Sequence, residues 1–252
     1  MQAYSRTFAH VYNRLWTGFV HRVAPMIAEF YASTAPGKAN RSILDLCCGT
    51  GQLALHLLEL GYSVTGIDLS EHMLQYAKEN ASAYVESGQA EFVQADAASF
   101  SLDQQFGLVS STFDALNHLE SQEALQTCFQ SVFSVVVEGG YLLFDLTTRA
   151  GLLRWNKIGV DDSEEAMIVT RGIYDGQGSR AYTRISGFIR TASGQYDRFE
   201  ETVYNTVFDM AWVRVTLLQI GWRDVHVARY EARGVPFSEA ETVDRVFFVA
   251  HK

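Results

Sequence analysis

The segment Ile-Leu-Asp-Leu-Cys-Cys-Gly-Thr-Gly, residues 43–51, most constrains what this chain can fold into. An apolar run ends in a turn of small residues, and a helical pattern follows up to residue 60. Gly49 and Gly51 permit a positive φ and allow a ligand to approach the backbone closely. In a parallel sheet, the carboxyl end of a strand is where ligands bind. The segment therefore predicts a strand, a turn and a helix that together form a ligand site.

Short apolar runs alternate with longer helical patterns around that segment. This order predicts an α/β fold in which helices cover both faces of a parallel sheet. The predicted strands are residues 42–47, 62–67, 90–94, 106–111 and 140–146, and the predicted helices between them are residues 51–60, 70–81 and 121–137.

The segments that flank this alternation predict additional structure. Two helical patterns, residues 4–19 and 19–32, precede a breaker segment at 33–41, while a final helix at 208–220 precedes strands at 222–230 and 242–251. Between them, β-rich segments at 167–174, 180–190 and 196–206 are joined by turn residues and predict an antiparallel meander. We therefore expect a cofactor-binding core at 1–150, a β insertion covering the acceptor pocket at 151–207, and the end of the core at 208–252.

The charge of the chain argues against several classes of partner. Twenty Lys and Arg residues oppose 29 Asp and Glu residues, giving a net charge of −9. Because nucleic acid and anionic membranes attract basic surfaces, neither is an expected partner. The three cysteines have no CxxC spacing and are expected to be free thiols, and no metal site is expected. Without an apolar leader or a long apolar run, we expect a cytoplasmic protein.

Two acidic residues indicate the class of cofactor. Asp68, at the end of the second predicted strand, is placed to accept hydrogen bonds from a ribose diol. Residues 49–54 also fit the GxGxxA pattern of dinucleotide-binding proteins. Asp45, however, lies where it would repel the pyrophosphate of NAD, whereas it would attract the ammonium and sulfonium of S-adenosylmethionine. The residues therefore favour methyl transfer over hydride transfer.

Residues 45–51, 64–70 and 94–96 resemble the successive cofactor motifs of class I S-adenosylmethionine-dependent methyltransferases. The resemblance implies a Rossmann-like, doubly wound and mostly parallel seven-stranded sheet whose last strand is reversed. It also implies an antiparallel β insertion after the fifth strand, where residues 194–202 are similar to a bacterial small-molecule subgroup. Cys47 departs from the pattern, because the family often has its first glycine there. The Asn/Asp-Pro-Pro-Tyr motif of base N-methylation does not follow the fourth strand.

The resemblance also implies a role for each residue that matches a family motif. The implied cofactor contacts are Gly49 and Gly51 beside the methionine part, Asp68 at the ribose, Leu69 and Met73 at the adenine, Asp96 and Ala97 at the adenine amino group, Thr112 and Phe113 along the cofactor, and Tyr12 over it as a lid.

The loop after the fourth predicted strand contains the candidates for catalysis. Asp114, Asn117 and His118 lie where substrate-facing residues gather in such sheets. A histidine, with an ordinary pKa of about 6.5, can act as a general base. A hydroxyl acceptor needs such a base, whereas an amine that binds unprotonated needs little more than alignment.

We therefore expect an enzyme that moves the methyl group of S-adenosyl-L-methionine to N or O of a small-molecule acceptor, leaving S-adenosyl-L-homocysteine. Two alternatives remain open from the sequence. The GxGxxA pattern is compatible with an NAD(P)-dependent oxidoreductase. The lack of an assured catalytic base is compatible with a non-catalytic S-adenosylmethionine-binding protein.

Overall fold

The computed structural model describes residues 4–191, 193–229 and 236–252. The helices are α1 (Arg6–Leu15), α2 (Gly18–Ser33), α3 (Ala35–Ala39), α4 (Gln52–Glu59), α5 (Glu71–Asn80), α6 (Ser82–Glu86), α7 (Gln122–Val135), α8 (Arg149–Trp155) and α9 (Met210–Ile220). The strands are β1 (Ser42–Leu46), β2 (Ser63–Asp68), β3 (Ala90–Gln94), β4 (Phe106–Ser111), β5 (Val136–Thr147), β6 (Ile158–Asp162), β7 (Ala166–Ile173), β8 (Arg180–Arg190), β9 (Tyr196–Thr206), β10 (Arg223–Ala228) and β11 (Arg245–His251). Within those ranges, no helix is both long and apolar enough to cross a membrane.

Seven strands form the main sheet in the order β10-β11-β5-β4-β1-β2-β3. All of its neighbouring strands are parallel except β11, which runs antiparallel to both β5 and β10. The mostly parallel sheet with a reversed last strand is thus confirmed. Because β1 lies between β4 and β2, the chain reverses its direction across the sheet there, and the carboxyl ends of these three strands form a crevice.

Helices cover both faces of this sheet, as the continuous apolar strands predicted. Ile43 packs on one side in a cluster with Ile27 and Leu57, which lie on α2 and α4. Leu44, the next residue, points to the other side and packs with Phe129 of α7. Successive side chains of a strand face opposite ways, so each strand contributes to both halves of the core.

The remaining four strands form a separate antiparallel sheet in the order β6-β7-β8-β9. One face of this sheet is apolar and packs against α1, where Phe8 lies in a cluster with Ile168, Ile185 and Val203. The cluster also includes Met73 of α5. The sheet therefore lies over the carboxyl edge of the main sheet, with α1 between the two.

Several short elements differ from the sequence prediction. The expected breaker segment contains α3, β5 begins at Val136 rather than at residue 140, and the region expected to open the meander begins with α8 and β6. The Thr148 side chain caps α8 by accepting from the Gly151 amide. A Cβ on Gly151 would lie 2.1 Å from the Asp244 carbonyl oxygen, so packing against a distant segment stabilises this helix. The predicted turn residue Ala192 and the predicted strand end Tyr230 lie outside the described residues.

Candidate active site

The turn after β1 is built from residues with left-handed backbone conformations. Gly49 has a φ of 54° and Gly51 a φ of 75°, and Cys47 also has a positive φ of 59°. A Cβ on Gly49 would meet only Tyr12, at 3.8 Å, whereas one on Gly51 would lie 2.9 Å from the Cβ of Ala77. Gly49 therefore leaves open space beside Tyr12, while Gly51 allows α4 to begin against α5.

Asp68 connects this turn to the end of β2. Its Oδ2 accepts from the Gly49 amide at 2.9 Å, and its Oδ1 accepts from the Ser70 amide at 2.9 Å. Burial raises the pKa of Asp68, while these backbone hydrogen bonds oppose the rise because they stabilise the ionised form. The carboxylate is thus fixed in one orientation at the crevice between β1 and β2.

Asp45 is buried, with 2% of its surface exposed, and its Oδ2 has no hydrogen-bond partner among the described residues. Burial raises the pKa of Asp45 to about 8. A hydrogen bond from the Ala54 amide opposes this rise, whereas the negative charge of Asp68 adds to it. The residue lines a cavity of about 20 Å³ beside Tyr12 and Thr112. That volume holds about one water molecule. An unsatisfied buried carboxyl oxygen is suited to a cationic group that arrives directly or through a water, because a nearby cation favours the ionised form of the carboxyl group.

A cavity of about 710 Å³ lies between α1, the carboxyl ends of the central strands, α8 and the apolar face of the antiparallel sheet. This volume is within the range of about 300–1,000 Å³ that is usual for ligand pockets. The predicted site residues that line it are Tyr12, Gly49, Asp68, Leu69, Met73, Thr112, Phe113, Asp114 and His118. The predicted residues that do not line it are Asp45, which lines the small cavity, and Gly51, Asp96, Ala97 and Asn117.

Asn117 and Asp96 have structural partners in place of cavity contacts. Asn117 is fully buried; its Nδ2 donates to the carbonyls of Thr147 and Thr206, and its Oδ1 accepts from the Thr147 amide. These bonds occupy its amide, and Asn117 is not among the residues that line the cavity, so a part in catalysis stays a prediction. Asp96 Oδ1 accepts from the Ala98 amide at 2.8 Å, in the turn after β3.

The loop after β4 contains two successive strained residues, Phe113 with a φ of 66° and Asp114 with a φ of 48°. Non-glycine residues in this region cost about 1–3 kcal/mol each and persist where other contacts hold them. The carboxylate of Asp145, on β5, accepts from the Phe113 amide at 2.7 Å and from the Asp114 amide at 2.9 Å. Asp145 thereby fixes the Phe113 ring, which stacks on Phe19 of α2 at 4.9 Å between ring centroids.

Arg245, at the start of β11, is a cavity residue that the sequence analysis missed. Its guanidinium pairs with Asp145 and lies 2.5 Å from the carboxylate of Asp114. Asp114 also accepts from Asn205 of β9 at 2.7 Å. These contacts join the loop after β4, the last strand and the antiparallel sheet. No local sequence signal identified Arg245, because an arginine that begins a strand is usually solvated.

His118 is fixed at the cavity wall by two hydrogen bonds. Its Nδ1 lies 2.6 Å from the carbonyl oxygen of Tyr204, and its Nε2 lies 3.2 Å from the hydroxyl of Tyr4. Because a carbonyl only accepts, Nδ1 carries the proton, and in the neutral ring Nε2 then holds a lone pair that accepts from Tyr4. This assignment of the tautomer follows from the hydrogen-bond partners.

Known proteins are similar to this chain in sequence and in fold. A family model described as a methyltransferase domain matches residues 43–140. A putative methyltransferase, YqeM of Bacillus subtilis, is 30% identical over 248 residues, which span 97% of this chain and 96% of that protein. The chain belongs to the class I S-adenosylmethionine-dependent methyltransferases.

Two other proteins place the methyltransferase among its relatives. The N,N-dimethyltransferase of dTDP-3-amino-3,6-dideoxy-alpha-D-glucopyranose from Streptomyces fradiae is 30% identical over 146 residues, 56% of this chain and 54% of that enzyme. The crystal structure of an S-adenosylmethionine-dependent methyltransferase from Clostridium acetobutylicum shares the fold, with a TM-score of 0.78 at 20% identity over 97% of both chains. As a member of this family, the methyltransferase uses S-adenosylmethionine as its cofactor. Its family decides against the oxidoreductase and non-catalytic alternatives.

Proposed function

We propose that the methyltransferase methylates a small-molecule acceptor, and that the acceptor atom is an amine nitrogen. The observation that carries the proposal is the 710 Å³ cavity beneath the antiparallel sheet, which both Asp68 and His118 line. In the proposed enzyme, residues 151–207 form the insertion that covers the acceptor, and the rest of the chain forms the cofactor-binding core. A chain with a net charge of −9 and no membrane-spanning helix in its described ranges supports a cytoplasmic small-molecule enzyme.

The proposed cofactor contacts lie at the crevice end of the cavity. Asp68 receives two backbone amides, and a carboxylate offers about four acceptor sites, so its remaining lone pairs are available to the ribose hydroxyls. Leu69 and Met73 provide apolar contacts for the adenine, and Gly49 leaves space for the methionine part beneath Tyr12. Asp45 lines the small cavity, which shares Tyr12 and Thr112 with the large one, and holds the ammonium through its unsatisfied oxygen. When bound, S-adenosylmethionine supplies a methyl group on a positively charged sulfur.

The proposed acceptor contacts lie at the other end of the same cavity. Ile185, Val203 and Asn205 of the antiparallel sheet line it, together with Leu152 and Trp155 of α8. An apolar wall with a few fixed polar groups is typical of small-molecule sites. The wall aligns the acceptor with the cofactor, and alignment of this kind supplies roughly 7–11 kcal/mol of the barrier reduction.

One cavity residue and one relative support nitrogen as the acceptor atom. An amine that arrives as an ammonium must lose a proton before its lone pair can attack. His118 lines the cavity, and its Nε2, which accepts from the Tyr4 hydroxyl in this structure, is the group that takes this proton in the proposed reaction. The related Streptomyces fradiae enzyme is named for the methylation of an amino sugar.

A panel of paired acceptors tests this proposal. Primary amines and the alcohols of the same skeleton are incubated with the enzyme and S-adenosylmethionine, and methylated products are measured by mass spectrometry. We expect methylated amines, no methylated alcohols, and a kcat roughly 10²–10⁴-fold lower for His118→Asn with unchanged affinity for S-adenosylhomocysteine. Methylation of the alcohol but not of its paired amine would overturn the choice of nitrogen. An unchanged kcat in His118→Asn would remove the proposed base.

A further inference from the structure

The outward face of the antiparallel sheet is rich in exposed apolar side chains. We define the outer face as the side of β6–β9 that points away from α1. Seven of the 14 exposed large hydrophobic side chains in the described ranges lie there: Ile158, Val160, Met167, Ile173, Tyr182, Phe188 and Tyr196. The strand registers place all seven on the same side of the sheet, because directly paired residues share a face. Concentrated apolar surface of this kind marks an interface.

The composition of the outer face is that of a protein–protein contact. Tyr, Phe, Met and Arg are enriched at such interfaces, whereas Lys is depleted. The outward positions of the four described strands contain no lysine, and their arginines are Arg171, Arg180, Arg184, Arg190 and Arg198. Aliphatic residues such as Ile158 and Val160 offer no base-stacking surface, so their presence beside the aromatic residues favours a protein partner over single-stranded nucleic acid.

The outer face approaches the size of a dimer interface. Its strands contain 5, 8, 11 and 11 residues, so at about 3.3 Å per residue and about 4.8 Å between strands they cover roughly 550 Å² of flat area. The relief of the side chains makes the accessible area larger than this flat area. A stable interface of standard size buries about 800 Å² on each partner. Sheets that pack face to face keep their strands within about 30° of alignment, so two such faces can pack on each other.

The rows of side chains across the outer face are complementary to themselves. One row contains Asp162, Met167, Phe188 and Arg198, in that order from β6 to β9. A twofold axis parallel to the strands, between β7 and β8, places β6 of one copy opposite β9 of the other. Asp162 then faces the partner's Arg198, and Met167 faces the partner's Phe188.

Other rows follow the same pairing. Ile173 and Tyr182 are neighbours across β7 and β8, so the axis brings each against the other in the second copy. Arg171 would face the partner's Arg184. Glu200 offsets this positive charge within each copy, where it lies 2.9 Å from Arg184 and 2.7 Å from Arg198. We propose that the outer face of the antiparallel sheet joins two copies of this chain into a symmetric dimer about this axis.

Light scattering coupled to size-exclusion chromatography tests the proposal on the full chain. We expect a mass twice the 28.2 kDa of one chain, and a monomer for Phe188→Arg. Val215→Arg is the matched control: Val215 is 47% exposed on α9, against 45% for Phe188, and lies away from the outer face. We expect this control to remain dimeric. Thermal unfolding of the monomeric variant verifies that it is folded.

A charge exchange tests the axis itself. Asp162→Arg and Arg198→Asp each place like charges opposite one another and should weaken the dimer, whereas the double variant should restore it. A wild-type chain that remains monomeric at every concentration, or a Phe188→Arg variant that remains dimeric, would overturn the proposal. So would a monomeric wild type that binds a single-stranded RNA oligonucleotide, since the outer face would then be a nucleic-acid surface.

Discussion

The amide of Gly49 donates to the carboxylate of Asp68 at 2.9 Å, which joins the turn after β1 to the end of β2. The same carboxylate accepts from Ser70, the residue that caps α5 through its side chain. One acidic residue thus organises a turn, a strand end and a helix start around the crevice. Its loss should affect ligand affinity directly, because the groups that it orients form the wall of the cavity.

Replacement of Asp68 by alanine should weaken the binding of S-adenosylhomocysteine. A hydrogen bond to a charged group contributes about 1.5–3 kcal/mol, which corresponds to roughly a 10- to 150-fold higher Kd. Isothermal titration calorimetry measures the change. Asp96→Ala is a useful comparison, because Asp96 lies outside the cavity lining and should alter the Kd much less. Equal losses in both variants would instead support the contact to Asp96 that the family resemblance implies.

Stability should depend on pH through Asp45. Its pKa rises from 3.8 to about 8 on folding, so the folded protein binds more protons than the unfolded chain between these values. The free energy of unfolding therefore falls as the pH rises from about 4 to about 8. Urea unfolding of the wild type and of Asp45→Asn should show a difference that grows in favour of the variant over this window. A constant difference across the window would show that Asp45 is ionised throughout.

Arg245→Met should destabilise the fold. The substitution leaves the carboxylates of Asp114 and Asp145 without their cation, and the loss of one partner of a buried pair costs about 3–5 kcal/mol. Arg154→Met is the matched control, because the Arg154 pair with Asp244 is exposed and contributes about 0–1 kcal/mol. Chemical denaturation measures both. A similar small effect in the two variants would contradict the structural role of the buried network.

Alanine substitutions at two glycines allow the cost of backbone strain to be measured apart from the cost of a packing clash. Gly51 and Gly88 have nearly equal φ values, 75° and 74°, but a Cβ has open space at Gly88 and a 2.9 Å contact with Ala77 at Gly51. Each alanine substitution should cost about 1–3 kcal/mol for its strained backbone, and Gly51→Ala should cost more because α4 and α5 must separate. Differential scanning calorimetry compares the two melting temperatures. Equal shifts would mean that the contact with Ala77 relaxes freely.

The alternation of short apolar runs with longer helical patterns predicted much of the fold, because the spacing of apolar residues in strands and in helices is a local property of the chain. The bounds of β3, β4, β8 and β9 match the prediction, and the N-cap serines at residues 70 and 121 begin α5 and α7. The start of β5 was misplaced because α7 passes into it without a breaker: Val135 ends the helix and Val136 begins the strand. Both are apolar and buried, so hydrophobicity alone does not mark the boundary.

The candidate site also contains some residues whose place the sequence predicted and others whose place it did not. Its strand–turn–helix segment and Asp68 could be found in the sequence, since their positions follow from the order of local elements. Asn117 shows the limit: its polar side chain in a loop indicated chemistry, but not that its amide ties that loop to β5 and β9. The partner carbonyl of Thr206 lies 89 residues away in the sequence, and no local pattern encodes that contact.

The sequence by itself determined the α/β class, the ligand turn and the acidic residues around it, because hydrophobic periodicity and backbone permissiveness act between near neighbours. Only the tertiary structure decided which side chains share the cavity. Arg245 meets Asp114 across 131 residues, since β11 inserts antiparallel beside β5 and brings the start of the last strand to the carboxyl edge of the sheet. Burial then makes that pairing stable, because a carboxylate removed from water requires a cation beside it.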